Sequence, residues 1–155
     1  MNFDISQVVL TIVVVCLFLW RISYGRNNGL FAEAAGLIAV FAAFASVYYI
    51  INITGSVLNQ NYGVIIPKIG YLFVAFVVYK IMTAIGDAFK KMSNVPIFGV
   101  MDRLLGAVLG AVEAAAIIYL IEYVTDLEII TSVMAVLMQL YSSIYKTFNE
   151  SFINN

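Results

Sequence analysis

The feature that most constrains the fold is the apolar run from Gly99 to Val124, GVMDRLLGAVLGAVEAAAIIYLIEYV. It is long enough to cross the hydrocarbon core of a bilayer, which takes about 20 residues of α-helix. Gly106 and Gly110 are four residues apart within it, a spacing that lets a second helix pack closely. A carboxylate, Glu113, follows. The run therefore predicts a membrane-spanning helix with a small-residue packing face and one buried charge.

Composition extends this interpretation to the whole chain. Of the 155 residues, 63% are hydrophobic and 11% are charged, whereas soluble domains have about 45–50% apolar and about 25% charged residues. A water-soluble fold could not bury this excess, so we predict an all-α integral membrane protein. Because the net charge is −1 and there is no basic patch, nucleic acid is not an expected partner.

The hydropathy pattern divides the chain into a four-span transmembrane domain, residues 1–125, and a C-terminal segment. The spans are predicted to form two helical hairpins, with bounds at residues 5–22, 29–53, 64–86 and 103–124. Polar loops are predicted at residues 23–28 and 54–63. Trp20 and Arg21 are interpreted as the interfacial end of the first span, because aromatic and basic side chains anchor spans there.

The C-terminal segment, residues 126–155, has a different pattern. Apolar side chains recur every three or four residues from Leu127 to Phe148, and polar side chains occupy the opposite face. This periodicity predicts an amphipathic helix. We expect it to lie in the interface, to cover its own bundle or to contact another copy, with a fifth span as the remaining alternative.

The distribution of basic residues predicts the orientation. Arg21 and Arg26 follow the first span, whereas Lys90, Lys91 and Arg103 lie between the third and fourth. Basic loops stay on the cytoplasmic side under the positive-inside rule. Both termini are then expected outside, which in a bacterium is the extracytoplasmic side.

A short internal repeat links the second and fourth spans. Each span begins with an arginine followed by three spaced positions that hold glycine or glutamate. The two sets are Arg26, Gly29, Glu33, Gly36 and Arg103, Gly106, Gly110, Glu113. The repeat predicts that the hairpins are parallel and related by an axis along the membrane normal, with these glycines at the helix crossing. Chance is the alternative, because the match is short.

Glu33 and Glu113 are functional candidates, because a carboxylate within a span must be protonated, paired or facing water. Three interpretations are open: structural ion pairs, protonated side chains that hydrogen-bond the helices together, or a conduction or proton path. The candidate cationic partners are Arg26, Arg103 and Lys80. Asp102 and Arg103 are also candidates, although they are more simply a helix cap and an interfacial anchor.

The sequence shows no sign of enzymatic chemistry. It has no histidine, one cysteine, Cys16, and no nucleophile elbow, phosphate-binding loop or metal-ligand cluster. We therefore expect no catalytic residue, no metal and no cofactor, and we do not expect an enzyme.

Two motifs resemble the colicin V production protein (CvpA) family. They are Gly25…Gly29-x3-Glu33 after the first span and Asp102-Arg103-Leu104-Leu105-Gly106-x3-Gly110 at the start of the fourth. The resemblance covers Phe3 to Val124 and leaves out the tail. It implies a multi-pass protein of the bacterial inner membrane, tied to peptide-toxin production or export and to envelope stress tolerance.

Two functions are compatible with these features. An oligomeric channel or transport component would pack several copies around a path, because one four-span chain encloses little space. A scaffold or accessory subunit would recruit a membrane or extracytoplasmic protein partner through the amphipathic tail. The expected partners are therefore the lipid bilayer and further copies of the chain, and the two buried acids favour the channel-like function.

Overall fold

The computed structural model describes residues 4–92 and 99–153, and each regular element in these ranges is an α-helix. The helices are α1 (Ile5–Asn28), α2 (Leu30–Tyr62), α3 (Ile65–Met92), α4 (Gly99–Thr125) and α5 (Ile129–Ile153). The all-α prediction is confirmed. All five described helices are long and apolar enough to cross a membrane, and α5 has the lowest mean hydropathy. Four spans with an amphipathic fifth helix is therefore still a prediction.

The connections from α1 to α2 and from α2 to α3 are shorter than the polar segments suggested. Gly29 alone separates α1 from α2, with a φ of 83° that favours glycine. Residues 23–28, predicted as a loop, are helical, and α2 continues through the predicted loop 54–63 as far as Tyr62. The prediction of loops was wrong because polarity marks where a helix leaves lipid, and a helix continues through polar residues beyond that point.

The helices pack mainly across the two predicted hairpins. α1 packs on α4 and α2 packs on α3, whereas the sequential pairs α1–α2 and α3–α4 touch only slightly. α2 and α4 also contact each other. Within the described residues no Cα atom of α1 lies within 8 Å of a Cα atom of α3. A groove therefore separates α1 from α3, and the α2–α4 pair forms its floor.

Two apolar clusters hold the helices together. The first joins α2, α3 and α4 through Ala43, Val47, Tyr71, Ala75, Leu120 and Val124. The second joins α5 to α4 through Ile118, Ile129 and Val133, with α1 side chains packed against it. The beginning of α5 is thus part of the bundle. From Leu137 to Asn149 its side chains are exposed, apart from Ser143, which is half-buried.

Lys68 ties the start of α3 to the end of α4. Its Nζ donates a 2.9 Å hydrogen bond to the carbonyl of Thr125 and lies 2.8 Å from Oδ2 of Asp126. A cation at the C-terminal end of a helix stabilises it, since the last carbonyl groups have no partner within the helix. This contact lies at the end of the bundle opposite Gly29.

Candidate functional site

Arg21, Glu33 and Glu113 form a buried charged cluster, with one residue each from α1, α2 and α4. Arg21 is 6% exposed, and both glutamates are 0% exposed. Nη2 of Arg21 lies 2.8 Å from Oε2 of Glu33 and also contacts Oε2 of Glu113. One guanidinium nitrogen therefore pairs with two carboxylates from two different helices.

Tyr79 from α3 completes this group, which we call the Arg21 cluster: Arg21, Glu33, Tyr79 and Glu113. The Tyr79 hydroxyl donates a 2.8 Å hydrogen bond to Oε1 of Glu113. Each of α1 to α4 thus contributes one side chain. Because removing one partner of a buried ion pair costs about 3–5 kcal/mol, the cluster couples the positions of these four helices.

Two glycines make room for the glutamates. A Cβ atom on Gly36 would collide with the Glu113 carboxylate. A Cβ atom on Gly110 would collide with the backbone carbonyl of Arg21 and lie 3.3 Å from Oε2 of Glu33. Each glutamate thus lies against a glycine of the opposite helix. This explains the exchange of glutamate and glycine in the repeat, since two glutamates at one level would not fit.

Helix backbones approach each other closely at Gly106. A Cβ atom there would collide with the carbonyl oxygen of Gly25 and lie 3.0 Å from Cα of Gly29. Glycines allow such an approach because they lack a side chain. All four predicted packing glycines lie at contacts between helices, and Gly25 lies there with them.

Asp102 binds the N-terminus of α2, although it lies in the first turn of α4. Its Oδ1 accepts a 2.9 Å hydrogen bond from the backbone N–H of Leu30. Its carboxylate occupies the space that a Cβ atom of Gly29 would need. An acid at this place satisfies one of the N–H groups that a helix start leaves without a partner. The capping contact therefore joins two helices that are far apart in sequence.

The structure pairs both glutamates with Arg21, which the sequence had placed at the interface. The role of an exposed anchor was wrong because the Arg21 side chain is buried against both carboxyl groups, about two turns before the end of α1. The side chains of the predicted partners Arg26, Arg103 and Lys80 are exposed, although Lys80 lies beside the cluster in the same groove. The Lys80 ammonium lies 5.9 Å from the centre of the Phe76 ring.

Sequence reasoning missed two members of the cluster. For Arg21 a signal existed, since Gly25 follows it by one helical turn and both belong to the face that packs against α4. Tyr79 had no comparable signal. The chain contains ten tyrosines, and nothing in the spacing along α3 distinguishes this one.

Two cavities in the groove between α1 and α3 meet at the cluster. The first has a volume of about 330 Å³ and includes Glu33, Thr83 and Asp87 in its lining. The second has a volume of about 480 Å³ and a mainly apolar lining that includes Leu72. Four residues line both cavities: Trp20, Arg21, Tyr79 and Lys80. The cluster therefore lies between a polar cavity and an apolar cavity.

The chemistry of the cluster is that of a guanidinium, two carboxyl groups and a phenol. Such groups bind protons and pair with ions. In residues 4–92 and 99–153, no three His, Cys, Asp or Glu side chains come close enough together to hold a metal ion. The groups of the cluster itself can pair charges and exchange protons.

Comparison with known proteins gives a match over nearly the whole chain. The family model described as Colicin V production protein matches residues 10–151. The match continues through most of α5, whereas the motifs had suggested a resemblance only from Phe3 to Val124. No curated protein and no solved structure matches the chain.

Proposed function

Because this chain belongs to the colicin V production protein family, we propose that it serves toxin production or export as an oligomeric channel or transport component of the bacterial inner membrane. A role in envelope stress tolerance is part of the same proposal. Five long apolar helices support the multi-pass membrane assignment. The channel-like mechanism is supported by the groove between α1 and α3.

The observation that carries the proposal is the polar lining of this groove at membrane depth. Lys80, which lies within the third predicted span, is exposed there. The lining continues to Arg21 and Glu33 and, just beyond that span, to Asp87. Charged groups are costly against acyl chains. Water, a polar solute or another protein surface satisfies them better than lipid does, so we assign the path of the transported species to this groove.

Several copies are needed to close the path. Because the backbones of α1 and α3 stay apart within the described residues, the groove between them is partly open. A second copy that places a helix over this opening would complete a conduit. The proposal therefore includes a homo-oligomer.

Two related hairpins are part of the proposed architecture. The pairs that the repeat aligns are neighbours in space: Gly29 with Gly106, Glu33 with Gly110, and Gly36 with Glu113. α1 also packs on α4 as α3 packs on α2. These contacts are expected for hairpins related by an axis along the membrane normal.

The proposed orientation puts Gly29 at the cytoplasmic end. Arg21 no longer supports it, because this side chain is buried among acids. Arg26 and Arg103 are exposed and support it under the positive-inside rule, whereas Lys68 at the other end is paired with Asp126. The side chains of the two remaining loop lysines, at positions 90 and 91, lie outside the described part of the chain. Both termini are then extracytoplasmic, provided that α5 does not cross.

Flux through reconstituted protein tests the channel-like function. Liposomes are loaded with potassium ions or with carboxyfluorescein, and release is compared with that from empty liposomes. Ala32→Trp, which fills the polar cavity, is expected to lower release severalfold. Ala45→Trp, on the exposed face of the same helix, should leave it unchanged, and Glu33→Gln is expected to alter it. Wild-type liposomes that leak no faster than empty ones would contradict the proposal.

A scaffold or accessory function is the second candidate, and the exposed second half of α5 favours it. Its large apolar side chains include Tyr141, Ile144, Tyr145 and Phe148. Apolar side chains beyond the packed bundle are suited to a lipid surface or a partner protein. A chain that ends at Leu137 keeps the packed start of α5. Loss of toxin production with unchanged membrane insertion would support the scaffold, and full toxin production would contradict it.

A further inference from the structure

We propose that the Arg21 cluster is a proton-binding site that holds one proton between Glu33 and Glu113 at neutral pH. The three charged members of the cluster, Arg21, Glu33 and Glu113, are buried side chains from three helices. It does not depend on the channel-like function, because the same charge balance applies in a scaffold.

The argument starts from the charges. Arg21 is positive at every physiological pH, so two ionised glutamates would leave the cluster with a net negative charge. All three side chains are almost fully buried, and an uncompensated charge is strongly disfavoured in such surroundings. Two carboxyl groups that share one site also resist joint ionisation. One bound proton brings the cluster to neutrality and removes both penalties.

Among the side chains that the structure describes, the neighbouring groups named below do not supply the missing positive charge. The groups that face the cluster from α1 and α3 are Tyr24, Tyr79, Lys80 and Asp87. The tyrosines are neutral, and the exposed lysine and aspartate have opposite charges. From α4, Asp102 lies at the start of α2, bound to Leu30. The imbalance is therefore that of one arginine against two glutamates.

Position relative to the cavities distinguishes the two glutamates. Glu33 lines the polar cavity of about 330 Å³, whereas Glu113 is not among the residues that line either cavity of the groove. Arg21 lines the same cavity, and its Nε is buried and has no hydrogen-bond partner among the described residues. Both glutamates are fully buried, so the route we propose for a proton runs from this cavity to the cluster through Glu33.

The proton transfer is simple. A hydronium ion in the cavity gives its proton to the Glu33 carboxylate, which becomes a neutral carboxylic acid, and a water molecule remains. Arg21 keeps its charge and pairs with Glu113, which Tyr79 also holds through its hydroxyl. Release reverses these changes, and no other bond forms or breaks.

Infrared spectroscopy of the protein in lipid tests the proposal, since protonated carboxyl groups have a separate C=O band that shifts in heavy water. At neutral pH we expect a band for one such group in the wild type and its loss in alkaline buffer. Glu33→Gln and Glu113→Gln should each abolish the band, because one arginine then balances the charge of one carboxylate. Arg21→Gln should double the intensity of the band, because both glutamates are then protonated. Glu128→Gln, an exposed control, should leave it unchanged.

Two results would overturn the proposal. The first is a wild-type protein without the band at neutral pH; if the band then appears in Lys80→Gln, Lys80 is the second positive charge. The second is a band that survives in both glutamine variants, which would place the proton elsewhere. If Arg21→Gln does not fold, the two glutamine variants decide the matter, and liposome flux does not enter the test.

Discussion

Gly36 lies against the carboxylate of Glu113, where even the methyl group of alanine would collide with it. The contact joins α2 to α4 at the level of the Arg21 cluster. It shows that the second and fourth helices are complementary at this level, with a glutamate of one occupying space that a glycine of the other leaves empty. The stability of the bundle should therefore be sensitive to added volume at these glycines.

Gly36→Ala is expected to destabilise the protein by about 1–3 kcal/mol, the usual cost of added volume in a packed interior. Gly110→Ala should cost more than Gly36→Ala, since its Cβ atom would meet the backbone of Arg21, which moves less easily than a side chain. Thermal unfolding in detergent measures both. Gly70→Ala is the matched control, because no heavy atom lies within 4 Å of its added Cβ. Equal stability of all three variants would contradict the packing described for α2 and α4.

Arg21→Gln is expected to destabilise the protein by about 3–5 kcal/mol, because it leaves two buried carboxyl groups without their cation. Adding Glu33→Gln to this variant should recover part of the loss, since fewer buried acids then lack a partner. Chemical unfolding of the single and double variants gives the coupling between the two positions. Arg26→Gln, at an exposed position of the same helix, is the control. A loss from Arg26→Gln as large as that from Arg21→Gln would argue against a specific role for the cluster.

Tyr79→Phe removes the hydroxyl that binds Glu113 and should cost about 1.5–3 kcal/mol, as expected for a hydrogen bond to a charged group. The ring remains, so packing is preserved. Tyr48→Phe changes an exposed tyrosine and should alter stability by no more than about 0.5 kcal/mol. Unfolding curves for both variants give the comparison. An unchanged unfolding midpoint for Tyr79→Phe would mean that this hydrogen bond does not form, or does not stabilise the fold, in lipid or detergent.

Asp102→Ala is expected to cost about 1 kcal/mol through loss of the cap on α2. Asp102→Asn should cost less, because the amide oxygen can still accept from Leu30. Amide hydrogen exchange is the measurement, and exchange at Leu30 should accelerate in the alanine variant more than in the asparagine variant. Equal exchange at Leu30 in the wild type and both variants would show that Asp102 does not cap α2.

The sequence was sufficient for the class of the protein and for part of the site. Glu33 and Glu113 stood out because a carboxylate in an apolar run is costly wherever the helix packs. The packing glycines stood out through their spacing for a related reason, since close helix contacts in lipid need small residues. These signals are local, so each could be detected without knowing which helices meet.

Partner choice required the tertiary structure. The sequence suggested that Arg21 lies at the interface, whereas in the structure it pairs with the two glutamates. It suggested that Asp102 caps its own helix, whereas in the structure Asp102 accepts a hydrogen bond from Leu30. Which side chains meet depends on where each helix begins and ends, how it is rotated and what packs against it. In this chain that arrangement results from the joint packing of four helices. Length and hydropathy therefore determined an all-α membrane protein with buried acids, and the three-dimensional packing determined that a single arginine would lie between them.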